Sequence, residues 1–298
     1  MTTLLCAGVA VIDIVFGLDE MPRRAEKYRA ADAWISGGGN AANAAVAASR
    51  LGHTARLAAR LGDDAIADMI VSGLEADGVD CHLVRRFAGR KSSFSSVFVD
   101  AKGDRQIVNY RDMGISFDTG WLETADLGDF DVALADTRWP QCGAVLLKRA
   151  RERGAPAVLD VEAPVELALP SMEQATHLAF SARGLKDFSG VQDLTHGLRM
   201  AAARFKTWVA VTDGAYGVYW LDNDTVRHLP AFEIEPVETL GAGDVWHGVF
   251  AIGLGENMPV ETAIMRANAA AAIKCSRSGG RAGYPTNAEI EAFLVERA

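Results

Sequence analysis

Continuous apolar runs alternate with longer amphipathic or alanine-rich stretches along most of this chain. Leu4 to Val9 is apolar without a break, the pattern of a strand buried on both faces. The same reading places strands at Ala55 to Leu61, Val79 to Arg85, Val132 to Ala135, Ala157 to Leu159, His177 to Phe180 and Trp208 to Thr212. Helical stretches lie among them at Asn40 to Leu51, which ends at Gly52, and at Asp64 to Ala76, Gln141 to Arg153 and Gln192 to Ala203. Strands and helices in alternation predict an α/β fold, a parallel sheet with helices on both faces. Two shorter pairs break the rhythm. Ile14 to Leu18 and Tyr28 to Ile35 flank the turn-like Glu20 to Arg24, and Ser95 to Asp100 meets Arg105 to Tyr110 through Ala101-Lys102-Gly103-Asp104, a hairpin signal. Antiparallel pieces fit poorly into a parallel sheet, so they predict a small separate one. Phe232 to Pro236 reads as a late strand, Val249 to Leu254 as a buried helix and Ala267 to Ala272 as helical.

Between that late strand and the buried helix lies Val237-Glu238-Thr239-Leu240-Gly241-Ala242-Gly243-Asp244-Val245-Trp246-His247-Gly248. Its glycines fall at a helix N-terminus, where unpaired N–H groups and the helix dipole bind anions and the missing Cβ atoms let a phosphate come close. Asp244 in that turn has two readings. It complements the dipole as a first-turn acid, or it takes a proton from a hydroxyl that attacks phosphorus. Gly37-Gly38-Gly39-Asn40-Ala41-Ala42-Asn43-Ala44 puts a second glycine-rich entry before the alanine-rich helix, whose small residues also suit close helix packing. Asp13 follows just beyond the first strand, at the sheet edge where ligands of open parallel sheets bind.

These two blocks resemble the N- and C-terminal signatures of the ribokinase (PfkB) family of carbohydrate kinases, in the family's order and separation and in a chain of its usual length. Glu238 stands where the family's C-terminal signature begins with Asp. The resemblance covers essentially the whole chain. It implies a ribokinase-like three-layer fold in a single domain, 1–298, with a small β-sheet lid formed by about 14–35 and 95–110 that closes over the sugar and often pairs with a second subunit's lid. It implies that Asp244 is the base, with Gly241, Ala242 and Gly243 neutralising charge on the transferred phosphoryl. Asp13, Gly38, Gly39 and Asn43 would hold the sugar. Thr212 and Gly214, in the loop running to Gly217, would approach the ATP phosphates, Asn268 would lie near the adenosine, and Ser276 to Gly283 would form a loop beside the nucleotide. Magnesium is expected with ATP. The family's Asn-x-x-Glu is replaced here by Ser181-Ala182-Arg183-Gly184, so its ligands are unknown, with Asp160 and Glu162 as outer-shell candidates. Some relatives also bind a monovalent cation such as K+ between the Ser276–Gly283 loop and the residues before the Gly-Ala-Gly turn.

Composition narrows the partners. The 298 residues are 49% hydrophobic, enough for a substantial core, and 30 Lys and Arg against 39 Asp and Glu give a formal charge of −9. That balance argues against a general nucleic-acid or membrane-surface binder and leaves room for a local basic pocket. Four scattered cysteines, Cys6, Cys81, Cys142 and Cys275, form no C-x-x-C pair and point to a reducing cytoplasm without structural zinc. The N-terminus reads as a strand and not a signal peptide, and no stretch is apolar enough to span a bilayer. An oxidoreductase would need G-x-G-x-x-G after the first strand, where this chain has a single glycine, Gly8. A sugar-responsive binding protein without chemistry would have no use for Asp244. Exposed strands carrying Val97, Phe98, Val99, Ile107 and Val108 predict a homodimer through the lid.

Three side chains around the expected sugar pocket bear on the substrate: Lys27 at the start of a lid strand, Asn109 near the end of another, and Arg138 just past Val132 to Ala135. A neutral sugar leaves such cations unpartnered, whereas a sulfonate or phosphate satisfies them. Singly, each reads as an ordinary surface charge. Together with Ala135-Asp136-Thr137-Arg138-Trp139 and Lys274 to Gly283, they are most similar to the sulfofructose kinase branch, which implies phosphorylation of the C1 hydroxyl of 6-deoxy-6-sulfofructose. A ribokinase or fructokinase acting on a neutral sugar, or a ketohexose-phosphate kinase, is the alternative.

Overall fold

The apolar runs lie side by side as a ten-stranded sheet in the computed structural model, which describes residues 1–102 and 104–297. In chain order the strands are β1 (Thr3–Gly8), β2 (Val11–Gly17), β3 (Asp32–Gly38), β4 (Thr54–Gly62), β5 (Val79–Asp80), β6 (Val84–Phe87) and β7 (Phe94–Val99). There follow β8 (Arg105–Tyr110), β9 (Val132–Asp136), β10 (Ala157–Val161), β11 (His177–Ser181), β12 (Trp208–Thr212), β13 (Val218–Asp222) and β14 (Thr225–Leu229). The helices are α1 (Asn40–Arg50), α2 (Ala65–Ala76), α3 (Pro140–Glu152), α4 (Leu169–Met172), α5 (Ala182–Ser189), α6 (Leu194–Phe205), α7 (Ala242–Gly255), α8 (Val260–Cys275) and α9 (Asn287–Val295).

The large sheet runs β14-β13-β12-β11-β10-β9-β1-β4-β5, with β6 also on β4. From β12 to β5 the pairs are parallel, so the carboxyl ends of these strands open on one edge. Alternate residues of β1 enter opposite cores. Leu4 and Cys6 join one with α1, α7 and α8, while Leu5 and Ala7 join the other with α3 and α6. On the first side, α7 crosses α1 so closely that a Cβ on Gly248 would lie 2.6 Å from the carbonyl oxygen of Ala44. The small residues of both helices therefore set the distance between their N-termini.

The separate small sheet is present, in the order β3-β2-β7-β8. It is not wholly antiparallel: β2 and β7 run parallel, because the chain returns to the large sheet between them. Its first strands also begin elsewhere than expected. Asp13 lies within β2, opposite Ser36 and Ser95, and not in a loop after β1. Tyr28 precedes β3, its hydroxyl accepting from the N–H groups of Arg23 and Arg24 at 3.0 Å each and so closing the loop. Lys27 is accordingly an exposed loop residue. Val97 is buried, whereas Ile107 and Val108 are more than half exposed. Gly103, in the expected hairpin turn, lies outside the described residues.

Three further readings change. Val79 to Arg85 is two short strands on successive parts of β4. Phe232 to Pro236 is not a strand: Phe232 packs edge-on against Phe293 of α9, and Val237 and Glu238 donate their N–H groups to the Cys275 carbonyl. The hairpin β13–β14 was not expected, and it extends the sheet antiparallel past β12.

Candidate active site

Both glycine-rich helix entries arrive at the carboxyl edge without side-chain caps. Gly39 before α1 (φ 98°) and Gly241 before α7 (φ 79°) adopt conformations that disfavour a Cβ, and neither N-cap glycine offers its helix a side-chain cap. The α7 entry leaves N–H groups open to an anion, whereas at α1 the first ones are already taken, that of Ala41 by Asp136 Oδ2 and that of Ala42 by the Val9 carbonyl. A Cβ on Gly39 would strike the Val9 carbonyl, and one on Gly38 would lie 2.5 Å from Asp13 Oδ2. A Cβ on Gly243 would meet nothing, so its backbone is open to a ligand.

Asn43 and Asp244 meet here from opposite ends of the chain, Asn43 Nδ2 donating to Asp244 Oδ2 at 2.6 Å. Burial raises the Asp244 carboxyl above its ordinary value, and the Asn43 bond pulls the other way. Arg281 fixes which way the amide faces: its Nε donates to Asn43 Oδ1 at 2.9 Å, which turns Nδ2 toward the carboxylate. The same guanidinium reaches the Gly38 carbonyl at 3.4 Å and fills the space beside Gly37. Burial likewise raises Asp13, against the opposing effects of the Ser95 hydroxyl and Arg281. Asp13, Gly38, Gly39, Asn43, Gly241, Ala242, Gly243 and Asp244 therefore form one constellation, with Arg281 as its tie.

Asp136, buried at the end of β9, is a structural centre that the sequence reading passed over. It accepts from the N–H groups of Val9 (2.8 Å), Ala41 (3.1 Å) and Arg138 (2.8 Å), and a Cβ on Gly8 would collide with it. The β1–β2 turn, the start of α1 and the segment after β9 thus share one acceptor. Beside it, Asp160 on β10 accepts from Asn40 Nδ2 at 3.1 Å and lies 3.6 Å from His247 Nε2, and burial pushes it up to about 7. Its Oδ1 is buried with no hydrogen-bond partner. Among the described residues no three His, Cys, Asp or Glu side chains converge as a metal cage.

Arg138 lines a cavity of about 30 Å³ together with Arg60, Arg111, Asp112, Trp139 and the Gly8–Val9–Ala10 turn. Arg60 stacks over Phe117, and burial brings it down to about 10, with the Arg111 charge adding to the effect. Burial and the Arg138 charge also lower Arg111. Arg138 itself donates to the Ala163 carbonyl at 3.0 Å, and its own carbonyl accepts from Arg111 Nη2 at 2.8 Å. Neither Arg60 nor Arg111 was singled out, since β4 and the segment after β8 meet only in the fold. Asn109 donates to Ser95 Oγ at 3.2 Å, one strand from Asp13, while Lys27 is not among the residues lining this cavity.

Among the residues expected to approach a nucleotide, Thr212 ends β12, and its hydroxyl donates to the Phe180 carbonyl at 3.4 Å. Gly214 (φ 53°) has open space where a Cβ would be, whereas Gly217 (φ 92°) packs on the Leu229 carbonyl of β14. Asn268 is buried and bonded at both ends of its amide, accepting from Trp246 Nε1 at 2.8 Å and donating to the Pro230 carbonyl at 3.2 Å. Its observed work is to hold α8 against α7.

The family model for pfkB family carbohydrate kinases matches residues 1–287. A ribokinase of Bacillus subtilis (strain 168) is 26% identical over 297 residues, 99% of this chain and 100% of the relative. A solved chain from Agrobacterium tumefaciens, described provisionally as a ribokinase, is 33% identical and superposes with a TM-score of 0.92 over 99% of this chain and 98% of that one. Arabidopsis thaliana ribokinase, solved with ribose and ATP, shares the fold at 19% identity and a TM-score of 0.87, over 98% of each chain.

Proposed function

We propose an acceptor and a mechanism on one premise: the chain belongs to the pfkB family of carbohydrate kinases and is an ATP-dependent sugar phosphotransferase. The sugar lies between the small sheet and the carboxyl edge of the large one, its hydroxyls held by Asp13, Asn43 and the Gly38–Gly39 backbone. Asp244 takes the proton of a hydroxymethyl group as its oxygen attacks the γ-phosphorus of ATP. The raised proton affinity of this buried carboxylate suits a base, and the Asn43–Arg281 tie keeps one oxygen occupied and the other free to act. The amides of Gly241, Ala242 and Gly243 face the charge that develops on the transferred group. Thr212 and Gly214 border the ATP phosphates, and the small sheet acts as a lid that excludes water.

Magnesium would enter on the nucleotide phosphates, which need only one or two carboxylates from the protein. Asp160, with its unpartnered oxygen, and the neighbouring half-buried Glu162 suit that part. When bound, the ion would supply neutralisation of phosphate charge.

The acceptor we favour is an anionic ketohexose such as 6-deoxy-6-sulfofructose, phosphorylated at C1, with Arg138, Asn109 and Lys27 reading the distal anion. The observation that carries this reading is the basic cavity: three arginines, Arg60, Arg111 and Arg138, line one small space beside the Gly8–Ala10 turn against a single carboxylate, Asp112, and burial with a neighbouring arginine's charge lowers the proton affinity of Arg60 and Arg111. An anion there would relieve them. Lys27 and Asn109, both exposed and outside that cavity, favour the second reading, a neutral ribose or fructose. A homodimer through β8 completes the proposal, since Ile107 and Val108 need cover. Asp244→Asn tests the mechanism: ADP release with a sugar panel is expected to fall by about 10²- to 10⁴-fold with ATP affinity retained. Near-normal turnover would remove Asp244 from its role.

A further inference from the structure

The turn that enters α7 is tied down by a buried cation from α8. Lys274 is fully buried, and its Nζ donates to the main-chain oxygen of Glu238 at 3.3 Å and lies 3.3 Å from Glu238 Oε1. The other carboxylate oxygen accepts from the N–H groups of Gly279 (2.9 Å) and Gly280 (3.2 Å). The next carbonyl along α8, that of Cys275, accepts from the N–H groups of Val237 and Glu238 at 2.7 and 3.1 Å. The lysine stem passes under the loop, its Cδ 3.6 Å from where a Cβ on Gly283 would be. The Lys274–Glu238 pair thus joins three segments: the end of α8, the loop 276–283 and the approach to Gly241.

This is the place where the family resemblance implies a monovalent metal cation, and the residues present do not fit one. Both carboxylate oxygens and the main-chain oxygen of Glu238 already have partners. An alkali ion among them would stand beside an ammonium, away from the water that would screen the repulsion. We propose that the Lys274 ammonium is a tethered substitute for that ion, carrying the same charge to the oxygens of Glu238, so that this kinase orders its nucleotide side without K+.

The test measures affinity for the non-hydrolysable nucleotide AMP-PNP by calorimetry, and ADP release, at constant ionic strength with either tetramethylammonium or K+ as the monovalent cation. Exchange of tetramethylammonium for K+ is expected to change either quantity of the wild type by less than about twofold. For Lys274→Met in tetramethylammonium, the AMP-PNP Kd is expected to rise about tenfold, and K+ should lower it again by entering the vacated space. A wild type strongly stimulated by K+ overturns the proposal, and this holds even if the variant does not fold. A folded Lys274→Met protein that binds as tightly as wild type in tetramethylammonium, or whose weakened binding K+ leaves untouched, overturns it too.

Discussion

β8 and β9 follow one another in the chain and are opposite in circumstance. All five residues of β9 are buried between two helical layers, and all six of β8 are exposed. Each is followed by an arginine that lines the same cavity, Arg138 after β9 and Arg111 after β8, with Asp136 and Asn109 as the nearby polar groups on the strands themselves. The buried strand fixes its groups through the backbone, with three N–H donors on one carboxylate. The exposed strand holds Asn109 by a single bond to Ser95 and presents Ile107 and Val108 outward. A rigid edge and a thinly covered one make a site that can be preorganised on one side and close from the other.

Asp136→Ala should expose the rigid half most. It leaves three N–H groups without their acceptor, at about 1–3 kcal/mol for each that stays buried, so the urea midpoint should fall by the equivalent of about 3 kcal/mol or more. An unchanged midpoint would mean that β9 does not organise this edge. The pH profile probes the link between the two halves at a smaller scale. Asp244 is raised above the ordinary carboxylate value of 3.8 by burial, so proton uptake removes the base as pH falls through that raised value, and the acid limb of kcat/KM should lie above 3.8. Asn43→Ala removes the bond that opposes the shift and should move the limb to still higher pH. A limb that stays in place would separate Asn43 from the base. The smallest effect belongs to the exposed half. Ile107→Lys with Val108→Lys should change stability by no more than about 0.5 kcal/mol while shifting sedimentation from dimer to monomer. A wild type that already sediments as a monomer removes the dimer from the proposal.

The difference between the halves also explains what could be read from the chain. Continuous apolar runs such as Leu4 to Val9 and Trp208 to Thr212 can be little else than buried strands, and the large sheet was legible to within a residue or two at those ends. In the small sheet one face lacks cover, the hydrophobic signal halves, and β3 was misplaced because Tyr28 works as a loop closure. Phe232 to Pro236 was apolar enough for a strand, yet its cover comes from α9 and its neighbours bond to α8. The β13–β14 hairpin carried a readable signal in Asp222-Asn223-Asp224, with Asn223 at φ 54° in the turn. The glycine blocks and Asp244 stood out because glycine and an acid at a helix start are chemically specific. Arg281, Arg60 and Arg111 did not, since an arginine has no local pattern until the fold shows what it touches.

In the proposed function these two unequal halves enclose an anionic sugar whose charge Arg138 reads. The most direct test is kcat/KM for 6-deoxy-6-sulfofructose, fructose 6-phosphate, fructose and ribose, in wild type and in Arg138→Ala. An anionic ketohexose is expected to lead the neutral sugars by about tenfold or more, and Arg138→Ala to collapse the lead, the loss expected for a charge-assisted contact. Neutral fructose or ribose as the best substrate, with every ratio unchanged in Arg138→Ala, would contradict it and leave a kinase of neutral sugars.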